Sequence, residues 1–306
     1  PAIADIEKTF VERWNDSSRT RNWPFEAIDP DQPEITEPIG TYAPTGMHSV
    51  QVLRTYGLGK YSYSWADPSE KGEFSIWAST LNAIKKAESY IYIEDQTFFT
   101  LGWPARCDDI FNPSRQVVDV VYQLGKALER GIKVGILVSN KTTRGFYLNV
   151  YEKYQRDYSL RYLQNIANQT NPDNFFVGYL HNDNEVIYIH SKMFIADDEF
   201  ALIGSANIDQ RSMTHDSELK LGVVDSANQF AKGLRIRLFK EHLENPSTTE
   251  VDLNNYDEAF DYMKSAIQNN QYRLRTYDFY SSEEWKGHAK FMNLIYSPYG
   301  GPLNLR

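Results

Sequence analysis

Apolar residues recur along this chain with two alternating periods, one of three to four positions and one of two, and the alternation predicts helices and strands in turn. Ile6, Phe10 and Trp14, within Asp5 to Asn15, predict a helix with one apolar stripe against a core. Residues 16–47 are rich in Pro, Asp, Thr and Gly and read as a surface connection, with Trp23 and Phe25 pinning it down. At 48–56, Val50, Val52 and Arg54 alternate with Gln51 and Leu53, which predicts a strand buried on both faces. Phe74, Trp77, Leu81 and Ile84 predict a helix, and Tyr90 to Phe99 a strand. The loop after that strand, 97–109, carries Phe98, Phe99 and Trp103 as core aromatics, as the mouth of a pocket or as a lipid contact.

The alternation continues downstream. Val117, Val118, Val121, Leu124 and Leu128 form a helical stripe stopped by Gly131, and Ile132 to Val138 reads as a central strand. A long aromatic-rich helix follows at about 147–167 and a short strand at 175–180. Val186 to Lys192 and the segments after it read as a strand-turn-strand unit, and residues 216–224 as a further strand. Ser226 to Gln229 offers a capping box for a helix carrying Phe230, Leu234 and Leu238 and ending near His242. Asp257, Phe260, Met263 and Ile267 mark a last helix, and from about Gln271 no period assigns the tail.

One strand in this pattern carries unusual chemistry. His190 and Lys192 stand two apart, so in a strand both side chains leave the same face and meet one phosphate. An imidazole attacks phosphorus or exchanges a proton near neutral pH, and an ammonium offsets the charge that builds on non-bridging oxygens. Asp197, five residues on, belongs to a turn and reads as architectural. A His-x-Lys pair alone is more often a satisfied surface pair, and the chain supplies its own control. His288 and Lys290 repeat the spacing, but Ile295 stands where the aspartate should be and no Gly-Ser-x-Asn follows, so that copy reads as structural.

His190-x-Lys192-x4-Asp197 followed by Gly204-Ser205-x-Asn207 resembles the signature of the phospholipase D superfamily, position by position. The phrase Tyr92-Ile93-Glu94-x-Gln96 and the run around Glu218 resemble that family too, although Asp95 departs from the asparagine often found there. The resemblance implies that His190 and Lys192 bind and process phosphate, that Ser205 and Asn207 complete its cradle, and that Glu218 orients His190. Asp197 enters the catalytic set as part of the motif. Gln96, at the carboxyl end of its strand, and His215, between Asn207 and Glu218, are candidates for the pocket. The remaining histidines, His48, His181 and His242, read as surface or packing residues.

The implied fold is α/β, a phospholipase D-type mixed sheet flanked by helices, forming one half of a pseudo-twofold bilobal architecture. Residues 1–47 would be the closing helix of a preceding half plus linker, 48–245 the catalytic domain with its single motif, and 246–306 a C-terminal extension. Family enzymes use two His-x-Lys motifs, one histidine attacking phosphorus and the other protonating the leaving alcohol, with the N-terminal one usually forming the phosphohistidine. The partner expected for this chain is therefore a fragment with the other motif, or a second copy of itself. The implied reaction converts phosphatidylcholine to phosphatidic acid and choline at a membrane surface, with head-group exchange when an alcohol competes. Nuclease activity, a phosphatidyl transferase building lipids such as cardiolipin, and an inert binding protein are the competing classes.

Composition sets limits on these classes. At 306 residues, 41% hydrophobic and 14% aromatic, the chain can bury a large core. Its formal net charge of -9 argues against a general nucleic-acid binder. A single cysteine, Cys107, excludes an internal disulfide and leaves the compartment open, with a secreted setting favoured over the cytoplasm. No metal constellation accompanies the motif, so no cofactor is expected. The chain opens on Pro1 rather than methionine and reads as a processed or excised piece.

Overall fold

The computed structural model describes residues 2–17, 33–44, 46–57, 72–99, 118–140, 146–214, 216–225, 227 and 229–279. Trp23, Phe25, Trp103, Cys107, Val117, His215, Ser226, His288, Lys290 and Ile295 lie outside the described residues. The elements in chain order are α1 (Ala2–Ser17), β1 (Ser49–Tyr56), β2 (Glu73–Phe74), α2 (Ser75–Lys86), β3 (Tyr90–Asp95), α3 (Val120–Glu129), β4 (Lys133–Val138) and α4 (Phe146–Gln169). They continue with β5 (Phe175–Asn182), β6 (Glu185–Val186), β7 (Lys192–Ala196), β8 (Phe200–Gly204), α5 (Gln210–Thr214), β9 (Glu218–Val224), α6 (Phe230–His242), α7 (Tyr256–Gln268) and β10 (Leu274–Thr276).

The strands form one mixed sheet in the order β10-β5-β4-β3-β7-β8-β9-β1-β2, with β6 paired to β5 off this path. β3, β4 and β5 run parallel through helical crossovers, whereas β7 enters antiparallel to β3 and begins a meander through β8 and β9 to β1. The central strands read as continuous apolar runs because helices cover both faces. On one face Ile84, Leu124, Leu128 and Leu163 of α2, α3 and α4 pack on Ile91, Ile93, Ile136 and Phe194. On the other, Phe239 of α6 and Phe260, Met263 and Ile267 of α7 pack on Tyr92, Leu137, Phe176 and Ile195. Each fully buried side chain of this size contributes about 1.5–3 kcal/mol.

Four expectations change. The stripe of α1 faces outward, with Phe10 56% and Trp14 38% exposed, because the polar side of the helix is the docked one: Arg54 reaches Thr9 and Glu12. β1 is buried only from Leu53 onward and leaves Val50 40% exposed, since it lies second from the sheet edge. The capping box fails: Gln229 holds the N-cap position without a side-chain bond, and the Asp225 carboxylate takes the amides of Phe230 and Ala231 instead. The unassigned tail contains β10, which pairs with β5 in a register of Leu274 to Leu180.

Candidate active site

Four strand termini converge where β3 ends at Asp95, β7 begins at Lys192, β8 ends at Gly204 and β9 begins at Glu218. Asp95 stands opposite Lys192 and Gly204 opposite Lys220, so these positions share one sheet face. Lys192 is 8% exposed, and its ammonium donates to Gln96 Oε1 at 2.7 Å and to the His190 carbonyl at 2.7 Å. A lysine has three donors, so among the described residues one N–H is left over. Burial pulls the lysine pKa down, while Asp95, Glu218 and Asp209 oppose that shift.

Gln96 is the hinge of this arrangement. Its amide nitrogen donates to the Tyr188 hydroxyl while its oxygen holds Lys192. Its own backbone is fixed from below, because the buried Arg156 donates to the carbonyls of Gln96, Thr97 and Ser139. Three neutral carbonyls thus receive one guanidinium at the carboxyl ends of β3 and β4.

His190 lies outside the strand in which the spacing places it. β6 pairs with β5 and β7 with β3, so residues 187–191 must cross the end of the sheet between them and cannot pair as a strand there. The imidazole is exposed and stacks on Tyr188 with ring centroids 5.8 Å apart, and neither ring nitrogen is hydrogen-bonded among the described residues. Partial burial and the charge of Lys192 both lower its pKa, which leaves the free ring neutral at pH 7.

The cradle residues are arranged unevenly. Ser205 donates its hydroxyl to Glu218 and accepts the amide of Leu219 at 3.0 Å. Glu218 also bonds Ser212, and burial raises its pKa. No bond joins Glu218 to His190 among the described residues, so within this chain the glutamate holds the serine and does not orient the histidine. Asn207 turns a buried side-chain oxygen toward no partner. Asp95, fully enclosed, takes the amides of Thr97, Phe98 and Ile208, which ties the Gly-Ser-x-Asn loop to the end of β3. Burial pushes its carboxyl up to about 6.

Asp197 stands at the far end of β7, five residues and about 16 Å from Lys192. Its carboxylate accepts the amides of Glu88, Ser89 and Tyr90, each at 2.9 Å, and clamps the start of β3 to the β7–β8 turn. The carboxylate touches neither His190 nor Lys192, which removes it from the group of side chains facing a phosphate. Its neighbour Asp198 forms a two-bond ion pair with the buried Arg235 and accepts from Tyr90.

A family model described as cardiolipin synthase, PLD-like domain, matches residues 80–242. The chain belongs to the phospholipase D superfamily. Human phospholipase D1 is 27% identical over 297 residues, covering 80% of this chain and 26% of its own length. Phospholipase D1 of Schizosaccharomyces pombe is 29% identical over 286 residues, covering 78% of this chain and 20% of its own length. The chain spans about a quarter of the length of these curated relatives. Among solved structures, phosphatidylserine synthase of Haemophilus influenzae is 15% identical with a TM-score of 0.45, covering 73% of this chain and 46% of that one. Nuc of Salmonella typhimurium, a phospholipase D family member, is 19% identical with a TM-score of 0.38, covering 61% of this chain and 89% of that one.

In this phospholipase D-like domain, sequence reasoning missed Tyr188, Lys220, Asp209 and Arg156. Tyr188 has a usable signal, standing two residues before His190 as His190 stands two before Lys192. Lys220 is a charge inside the apolar run Leu219 to Val224. Asp209 and Arg156 have none, since their partners lie far away in sequence: Asp209 takes Thr97 Oγ1 at 2.9 Å, and Arg156 reaches back about sixty residues. His242, taken for a surface or packing residue, is 3% exposed and bonds Glu94 Oε1 at 2.8 Å, where Tyr92 and Ser191 also converge. The middle residue of His-Ser-Lys is thereby anchored on the opposite face of the sheet. Among the described residues, no group of His, Cys, Asp and Glu is arranged to hold a metal ion, and no helix is long and apolar enough to cross a membrane.

Proposed function

We propose that this chain supplies one half of a phospholipase D active site that hydrolyses the distal phosphodiester of phosphatidylcholine-type lipids at a membrane surface. The observation that carries the reading is the Lys192 ammonium, held between Gln96 and the His190 carbonyl with one N–H free beside an exposed imidazole. That N–H binds a non-bridging phosphate oxygen, and the Asn207 side-chain amide donates a further N–H to the same phosphate. Ser205 joins it by turning its hydroxyl away from Glu218.

In this reading a histidine from the second motif attacks phosphorus, and the bond to the head-group oxygen breaks as His190 gives that oxygen its proton. The free imidazole is neutral at pH 7, but the bound phosphate anion beside it favours the imidazolium needed for this step. His190 then takes a proton from water, or from a competing alcohol, and the new oxygen–phosphorus bond forms as the phosphorus–nitrogen bond breaks. The exposed ring of His190 and the commitment of Glu218 to Ser205 support a site completed from outside this chain. A fragment bearing the other motif is the favoured complement, with pairing of two copies as the alternative.

The net charge of -9 favours a lipid over a nucleic-acid phosphodiester. The test assays the chain, alone and with its complementing half, on phosphatidylcholine vesicles and on single-stranded DNA. Choline release that falls about a thousandfold or more in His190→Asn supports the proposal. Full activity of that variant, or cleavage of DNA alone, overturns it.

A further inference from the structure

Extending the strand registers draws a single row across the sheet through Asp95 of β3, Lys192 of β7, Gly204 of β8 and Lys220 of β9. In antiparallel pairs, residues directly opposite share a face, so these side chains stand side by side. Neighbouring strands lie about 4.8 Å apart, which puts the backbones of Lys192 and Lys220 about 10 Å apart with a glycine between them. That glycine is required by the packing. A Cβ at Gly204 would lie 2.6 Å from the Lys220 Cα and 2.7 Å from its Cγ, so the lysine stem runs over Gly204.

Lys220 is 1% exposed, and no hydrogen bond or ion pair closes on it among the described residues. A buried ammonium left in this state is costly, and a merely structural position would be filled better by an apolar side chain of similar shape. Its electrostatic neighbours are all site residues: Asp95, Glu218 and Lys192. Asp95 occupies the position where the resemblance expects a neutral asparagine, so the row carries one unexpected buried anion and one buried cation.

We propose that Lys220 is a second cation of the phosphate cradle, a positioning residue that acts from beneath Lys192 across Gly204, with Asp95 as the counter-charge that retains it in the fold. The lysine raises the positive potential felt by a phosphate bound at Lys192, and Asp95 lowers it. Replacing the two therefore moves phosphate affinity in opposite directions. Damage to the fold would move it in one direction only. This inference rests on the reading of the cradle as a phosphate site.

The experiment titrates inorganic phosphate into the whole chain by calorimetry, with wild type, Lys220→Met, Asp95→Asn and the double variant. Circular dichroism checks each fold. Asn retains an acceptor for the amides of Thr97 and Phe98 and gives up the one for Ile208, a loss that works against tightening. Lys220→Met is expected to weaken phosphate about tenfold, Asp95→Asn to tighten it severalfold, and the double variant to fall between them. Equal binding by wild type and Lys220→Met overturns the inference while leaving the site reading intact. Should Lys220→Met not fold, Lys220→Gln takes its place: weaker phosphate binding than wild type supports the inference, and equal binding overturns it. A wild-type chain that takes no phosphate overturns the site reading, and this inference with it.

Discussion

At the turn between β7 and β8, Asp197 accepts three amides and Asp198 is locked to Arg235 by two bonds, so each carboxylate is closed by its own neighbourhood. At the other end of the same hairpin, among the described residues, Lys192 keeps an unused N–H, no hydrogen bond or ion pair closes on Lys220, and neither ring nitrogen of His190 is bonded. Both ends belong to one short hairpin, and both are rich in charge. Groups that hold a fold are satisfied by it, whereas groups meant for a ligand are fixed in place with bonds left open. The difference separates the aspartate of the motif from its histidine and lysine, although the three sit within eight positions of sequence.

Arg235 holds the closed end most firmly. Removing one partner of a buried ion pair leaves an uncompensated charge, so Arg235→Met is expected to cost about 3–5 kcal/mol in urea denaturation. Phosphate affinity of the folded fraction should stay at the wild-type value. A loss below about 1 kcal/mol would show that the turn end is not closed in the sense argued. Asp197→Ala is expected to cost about 2 kcal/mol with phosphate affinity again unchanged. A selective loss of binding there would return Asp197 to the phosphate site.

The open end is sharpened by pH. Lys220 is held down to about 8 by burial, against 10.5 for a free lysine. Between these values the unfolded chain binds the extra proton, so wild-type stability should climb from pH 8 to 10.5 as the buried charge is relieved. The groups facing it are Asp95 from β3, Lys192 from β7 and Glu218 from β9. Lys220→Met should lose that rise, and an unchanged profile would show that Lys220 is not a charge held against burial. The smallest effect is expected at His190, which is exposed and, among the described residues, bonded by neither nitrogen. His190→Asn should alter stability by no more than about 0.5 kcal/mol, and a larger loss would mean the ring has a structural task.

Much of the fold is legible in the chain because its elements are long and locally consistent. The apolar stripes of α2, α3 and α7 and the run of β4 announce themselves, and Asp119 and Asn255 cap their helices from the neighbouring position. β10 escapes because three residues carry no period. The orientation of α1 escapes because the pattern shows that a stripe exists but not whether anything covers it. In the site, Lys192 and Gln96 follow from strand ends. The position of His190 depends on where β7 begins, which is decided by the crossing from β6 and not by the alternation around His190. The Asp95–Lys192–Gly204–Lys220 row exists only once four strands are in register, and no local window contains it.

The sheet joins its two wings at a single seam. β10, β5, β4 and β3 make one wing and β7, β8, β9, β1 and β2 the other, and in the strand order the pairing of β3 with β7 connects them. The Lys192–Gln96 bond crosses that seam between residues 96 apart in the chain. Closing so long a loop is entropically slow, so the β3-β4-β5 part and the β7-β8-β9 meander can acquire local structure before the two meet, while β1, which pairs with β9 across a still longer stretch, has no such head start. In a refolding experiment, the far-ultraviolet signal of helices and strands should recover first, with competence to bind phosphate arriving later as the seam closes.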